Sequence, residues 1–137
     1  MNTLEEWLAF VATHLPAPVR EERTDDATTF TGGDPGQVIV KVTRSRITVF
    51  EYAVGWTGPH TPVVSPRLIG TVVWLRSRTH EMTRAVAALI AAACASRLGR
   101  FRVCERCERS TPPEWMDDDR LCQSCVDAEP RQNLRSP

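Results

Sequence analysis

Leu4, Trp7, Leu8 and Val11 recur at three- and four-residue spacing, the interval at which one face of an α-helix returns. Thr3 and Glu6 stand ahead of them as a capping pair and Pro16 ends the run, so a helix with one buried face is predicted over residues 4–14. The pattern then changes. Residues 19–35 are polar and rich in turn formers, with only ATTFT (27–31) suited to an edge strand, and TGGDPG (31–36) is a turn. QVIVKVT (37–43) and ITVFEYAV (47–54) alternate at the period of two that a half-buried strand requires, and the Arg-Ser-Arg link makes them a hairpin. GWTGPHTPVVSP (55–66), with three prolines, reads as a loop. LIGTVVWL (68–75) is apolar on both faces and reads as a central, covered strand. Residues 80–98 return to helical spacing, with Met82, Val86, Leu89, Ile90 and Ala93 as the buried stripe and Gly99 as a C-terminal cap.

This order predicts an α+β fold: a helix–antiparallel β-meander–helix core of two layers over residues 1–100. A small element over 101–130 follows, and residues 131–137 are expected to be a disordered tail. The chain of 137 residues has room for one ordinary core and one appendage, and its apolar (42%) and charged (25%) shares are those of a folded protein. The net charge of zero argues against a protein built chiefly to neutralise phosphate, although a local basic face remains open. Lys41 is the sole lysine; the arginine excess reads as compositional bias, or as a preference for planar contacts to carboxylate and phosphate. The N-terminus lacks the basic and long apolar regions of a signal peptide, and the nearly uncharged run 85–96 falls short of the roughly 20 residues needed to span a bilayer. A cytoplasmic location is therefore expected, where thiols stay reduced and clustered cysteines suggest a metal.

Four of the five cysteines form two C-x-x-C pairs, Cys104/Cys107 and Cys122/Cys125, separated by fourteen residues. A two-residue gap lets both thiolates of a pair address one ion, and two pairs supply the four soft ligands of tetrahedral Zn2+. A dithiol redox site would explain one pair, two disulfides would suit an exported protein, and an iron–sulfur cluster usually takes other spacings. Structural zinc explains all four residues, and four cysteines leave no open position for catalysis. Cys94, in the alanine-rich helix, reads as a small buried residue.

The stretch "CERC…LCQSC", a knuckle pair, a hairpin and a second pair opening a short helix, resembles the treble-clef group of zinc modules, with the zinc ribbon as second choice. The resemblance covers about residues 102–130. It implies a structural zinc in a module used for contacts with nucleic acid or protein. The chain departs from the pattern in having no glycine after either pair: Glu108 and Val126 stand there.

Outside this stretch, little points to catalysis. His14, His60 and His80 do not cluster in the sequence, and Asp25-Asp26 and Asp117-Asp118-Asp119 are acid runs in turns, usually solvated. No glycine-rich phosphate loop or nucleophile elbow is present, so an enzyme is not expected. Trp56 is expected to fold back over the sheet edge, the other reading being an exposed anchor for a partner.

Arg97, Arg100, Arg102, Arg106 and Arg109 gather where the second helix meets the first knuckle, with Arg76 and Arg78 as further candidates. Against a phosphate-binding role, residues 101–137 hold six arginines and eight carboxylates, and zinc with four thiolates adds two negative charges. The first expectation is a non-enzymatic adaptor or regulatory protein with a protein partner, self-association included, contacted through Trp115 and Asp117–Asp119. The alternative is a nucleic-acid binder using the arginines of 97–109. No membrane contact or small-molecule substrate is expected.

Overall fold

The first helix, α1 (Leu4–His14), begins where Thr3 Oγ1 accepts from the backbone N–H of Glu6 at 3.2 Å, which satisfies one of the free donors of the first turn. It buries Trp7, Leu8 and Val11 of the face its spacing predicts, while Leu4, in the first turn, is exposed. The computed structural model describes residues 3–74, 78–118 and 120–128, and the chain divides between Leu98 and Gly99 into two compact units.

In the first unit, strands β1 (Val19–Arg23), β2 (Thr28–Gly32), β3 (Val38–Val42) and β4 (Arg46–Glu51) follow one another as an antiparallel meander. After an excursion, β5 (Val54–Gly58) and β6 (Thr61–Val64), the chain returns as β7 (Arg67–Val73) to pair with β4. The sheet order is β1-β2-β3-β4-β7. Helix α2 (Thr79–Gly99) completes the unit. One sheet face carries the row Phe30, Val40, Val49 and Gly70 in register, and it forms a single core with Trp7, Leu8 and Val11 of α1 and Met82, Val86, Ile90 and Ala93 of α2. Gly70 allows α2 to come close, since a Cβ there would stand 2.7 Å from a methyl of Leu89. Trp7 meets Trp74 edge to face at 5.0 Å, and Trp74 Nε1 donates to Thr43 O at 2.9 Å.

The α+β class and the helix–meander–helix order are as the sequence predicts; the edges of the sheet are not. The 27–31 segment is β2, an interior strand, because VREER adds outside it as β1 with all five residues exposed. Charge at each of its last four positions is how an edge strand resists further pairing, and it hides the strand from a search for apolar alternation. The 55–66 segment contains the β5–β6 hairpin. Trp56 does not fold away: it pairs across that hairpin with Pro62 and is 47% exposed. β7 lies at the opposite edge, with Leu68 and Val73 solvent-exposed, so its double-sided apolar pattern is not the mark of a covered strand. Residue 75, the last of the predicted run, lies outside the described residues, as do Arg76 and the expected tail at 131–137.

Gly99 is the last residue of α2 and does not take the left-handed conformation of a glycine cap. By length and composition α2 could cross a membrane, its 21 residues exceeding the predicted uncharged run. Its buried stripe instead packs in the core of the first unit.

The second unit is built from short pieces. β8 (Arg102–Val103) pairs with β9 (Ser110–Thr111), and Pro113–Trp115 makes a 3-10 turn. β10 (Met116–Asp117) pairs with β11 (Leu121–Cys122), which runs directly into α3 (Gln123–Asp127).

Candidate metal centre

Cys104 follows β8, and the chain reverses through Cys107 before β9 begins. The reversal is closed by two backbone bonds, Glu108 N–H to Cys104 O at 2.9 Å and Cys104 N–H to Arg109 O at 3.0 Å. Closing so tight a turn requires a left-handed residue. Glu108 supplies it at φ 63, in the position after the first pair that a glycine would hold without strain. Asp118, at φ 51, does the same in the turn between β10 and β11. The second pair is placed by the step from strand to helix: Cys122 ends β11 and is the residue before α3, and Cys125 lies in its first turn. Glu105 N–H donates to Arg120 O at 2.8 Å, joining the knuckle to the β10–β11 turn.

The result is a convergence of all four sulfurs within 4.8 Å of one another, with Cys107 Sγ and Cys122 Sγ 3.7 Å apart. A tetrahedral zinc with bonds of about 2.3 Å separates its sulfurs by about 3.8 Å, so the four cysteines are geometrically able to hold such an ion. Cys104 and Cys122 are buried, Cys125 is half-buried and Cys107 is exposed.

Donors surround the sulfurs. Cys104 Sγ receives the N–H of Cys107 at 3.5 Å, of Cys122 at 3.3 Å and of Arg106 at 3.4 Å. These bonds, that of Cys107 first, stabilise the thiolate and bring Cys104 down to about 5. Arg109 Nε donates to Cys107 Sγ at 3.4 Å and lowers that thiol too, while its Nη2 reaches Cys122 Sγ at 3.8 Å. Cys125 moves the other way, to about 12, chiefly through the neighbouring sulfur of Cys122.

The second unit has almost no apolar interior. Among its described residues the buried ones are Cys104, Cys122, Thr111 and Pro112. The sulfurs occupy the place of a core.

The arginines proposed to meet a partner are dispersed. Arg97 is a correction: it is 1% exposed, donates from Nε to Gly36 O at 2.9 Å and lies over the Tyr52 ring at 5.3 Å. Its position could have been read from the helical phase, since it continues the stripe Met82, Val86, Ile90, Ala93 by one more turn. Arg102 Nη1 donates to the carbonyls of Gly99 and Phe101, and Arg109 serves the sulfurs. Arg100 and Arg106 are exposed, as is Trp115 at 46%. Asp117 and Asp118 are exposed, and Asp119 lies outside the described residues.

Other candidates do not join the centre. Cys94 is half-buried in α2, its thiol pushed up by burial. His14 bonds Phe10 O through Nδ1 at 2.9 Å in the last turn of α1. Asp25 and Asp26 line a shallow concavity of ≈ 680 Å³ beside Lys41, Arg44 and Arg46, so cations are their neighbours there. Comparison of the chain with protein-family models, with curated proteins and with solved structures gives no match.

Proposed function

We propose that the second unit is a structural zinc module of the treble-clef type, and that the chain is a non-enzymatic adaptor or regulatory protein acting through contacts with another protein. The carrying observation is the replacement of an apolar core by four convergent sulfurs, two of them buried. About thirty residues without an apolar interior do not hold a fold by burial alone, and a zinc bound to four thiolates supplies the missing free energy. A knuckle, a β-hairpin and a helix carrying the last ligand, in that order, support the treble clef over the ribbon. Four protein sulfurs close the coordination sphere, so the ion's role is to hold the chain.

Protein contact is favoured over nucleic acid by where the guanidiniums go. Arg97, Arg102 and Arg109 are engaged with the chain's own carbonyls or sulfurs. The module itself presents exposed Val103 and Trp115 together with the acids Asp117 and Asp118. An apolar residue next to a carboxylate cluster suits a protein surface of complementary charge and repels phosphate.

The test is isolation of the untagged chain at moderate salt, followed by titration of the partner recovered with it. Trp115→Ala is expected to weaken that complex more than Arg106→Ala does. Sub-micromolar binding of plain DNA or RNA at about 0.15 M salt, lost in Arg102→Ala/Arg106→Ala, would reverse the choice in favour of nucleic acid.

A further inference from the structure

We propose that Arg109 governs how readily the ion leaves the four-cysteine centre, by bracing the solvent-exposed sulfur of Cys107 against the buried sulfur of Cys122. The inference rests on the zinc reading above and assigns the residue that regulates the same site. Of the four ligands only Cys107 is exposed, so a competing ligand reaches the ion by displacing that sulfur. Arg109 stands at this point, its Nε 3.4 Å from Cys107 Sγ and its Nη2 3.8 Å from Cys122 Sγ.

The placement follows from the local chain path. The left-handed turn at Glu108 reverses the backbone, and the bond from Cys104 N–H to Arg109 O fixes residue 109 across the knuckle from the first ligand. The guanidinium therefore returns over the sulfurs while neighbouring arginines do not. The described hydrogen bonds of Arg106 to the cluster come from its backbone N–H alone, and Arg102 is turned to Gly99 O and Phe101 O.

Zinc with four thiolates carries a net charge of two minus, and a guanidinium in contact offsets part of it. A planar fork spans two sulfurs at once, whereas an ammonium is a point charge that meets one. Arg109 is thus a positioning residue for the ligands, holding the exposed sulfur in place and offsetting part of the centre's negative charge. Outer partners of this kind typically change metal affinity by about 10- to 100-fold when removed.

The experiment uses the full chain loaded with zinc and mixed with excess chromophoric chelator, the release rate being followed by absorbance. Arg109→Ala is expected to release zinc about 10-fold faster than the wild type. Arg109→Lys should fall between the two, and Arg106→Ala should release at the wild-type rate. In the cobalt-loaded chain the thiolate-to-cobalt charge-transfer band should move to longer wavelength in Arg109→Ala, because a sulfur that loses a hydrogen bond holds its lone pairs less tightly. Wild-type release and an unshifted band in Arg109→Ala would overturn the proposal. If Arg109→Ala retains no stoichiometric zinc, Arg109→Lys decides: release faster than wild type supports the assignment, and an unchanged rate overturns it. A wild-type chain that takes up no zinc refutes the metal reading itself, a different outcome from either.

Discussion

Replacing Glu108 by glycine should strengthen the metal centre, although it removes a side chain and adds none. Glu108 sits at φ 63, where an L-residue's Cβ crowds the following carbonyl at a cost of about 1–2 kcal/mol. Glycine escapes that cost but loses more freedom on folding, which returns about 0.4–1 kcal/mol to the unfolded state. The carboxylate itself is exposed, and the hydrogen bond that Glu108 contributes to the knuckle comes from its backbone N–H, which glycine retains. The balance is about 0.5–1 kcal/mol in favour of Glu108→Gly. If, as proposed, folding of the module and capture of the ion are one process, this gain should appear as zinc affinity, about two- to fivefold tighter. Competition against a chelator of known affinity reads the difference directly. Glu108→Val serves as the opposite control, since a β-branched residue is least tolerant of positive φ. Glycine binding zinc more weakly than glutamate, or valine binding as well as either, would refute the strain argument.

Arg97→Ala should destabilise the first unit by about 2–3 kcal/mol, because it removes a buried charged donor and leaves Gly36 O without that partner; chemical denaturation of the zinc-loaded chain measures it. Gly36→Ala should cost about 1–3 kcal/mol in the same assay, since a Cβ there would lie 2.5 Å from the Tyr52 ring that also carries Arg97. Zinc affinity should rise from about pH 6 to about pH 8, because binding displaces protons from the cluster. Cys125, pushed up to about 12 without metal, must lose one, whereas Cys104, held near about 5, gives up almost none in that range. Calorimetry in buffers of different ionisation enthalpy counts the protons released, and a pH-independent affinity would contradict the assignment.

The core was legible because its residues obey one period at a time. Trp7 to Val11 and Met82 to Ala93 carry the helical spacing, and Val38 to Val42 and Ile47 to Val49 alternate, so the elements that build the core announce themselves. The failures lie where backbone pairing, not side-chain burial, decides the structure. β1 is a strand through its ladder with β2 although none of its side chains is buried. β7 carries apolar residues on both faces at an edge, and Trp56 stands in a hairpin held by its own cross-strand pairs. In the candidate metal centre the convergence of the four cysteines was legible because C-x-x-C is a local constraint. Arg109's place over the sulfurs was not, because it depends on the left-handed turn at Glu108, which no composition rule requires of a glutamate. Arg97 shows that clustering in sequence does not make a surface: one helical turn separates a buried arginine from exposed ones.

The central claim is that four sulfurs around one ion take the place of a core in the second unit. Elemental analysis of the purified chain, paired with circular dichroism before and after chelation, tests it most directly. The account predicts about one zinc per chain and no iron chromophore, lost in Cys122→Ser and kept in Cys94→Ala. It also predicts that chelation unfolds the residues after Gly99 while the helix–sheet core of the first unit keeps its spectrum. A chain that carries no zinc, or one whose second unit stays folded after the metal is stripped, would contradict it.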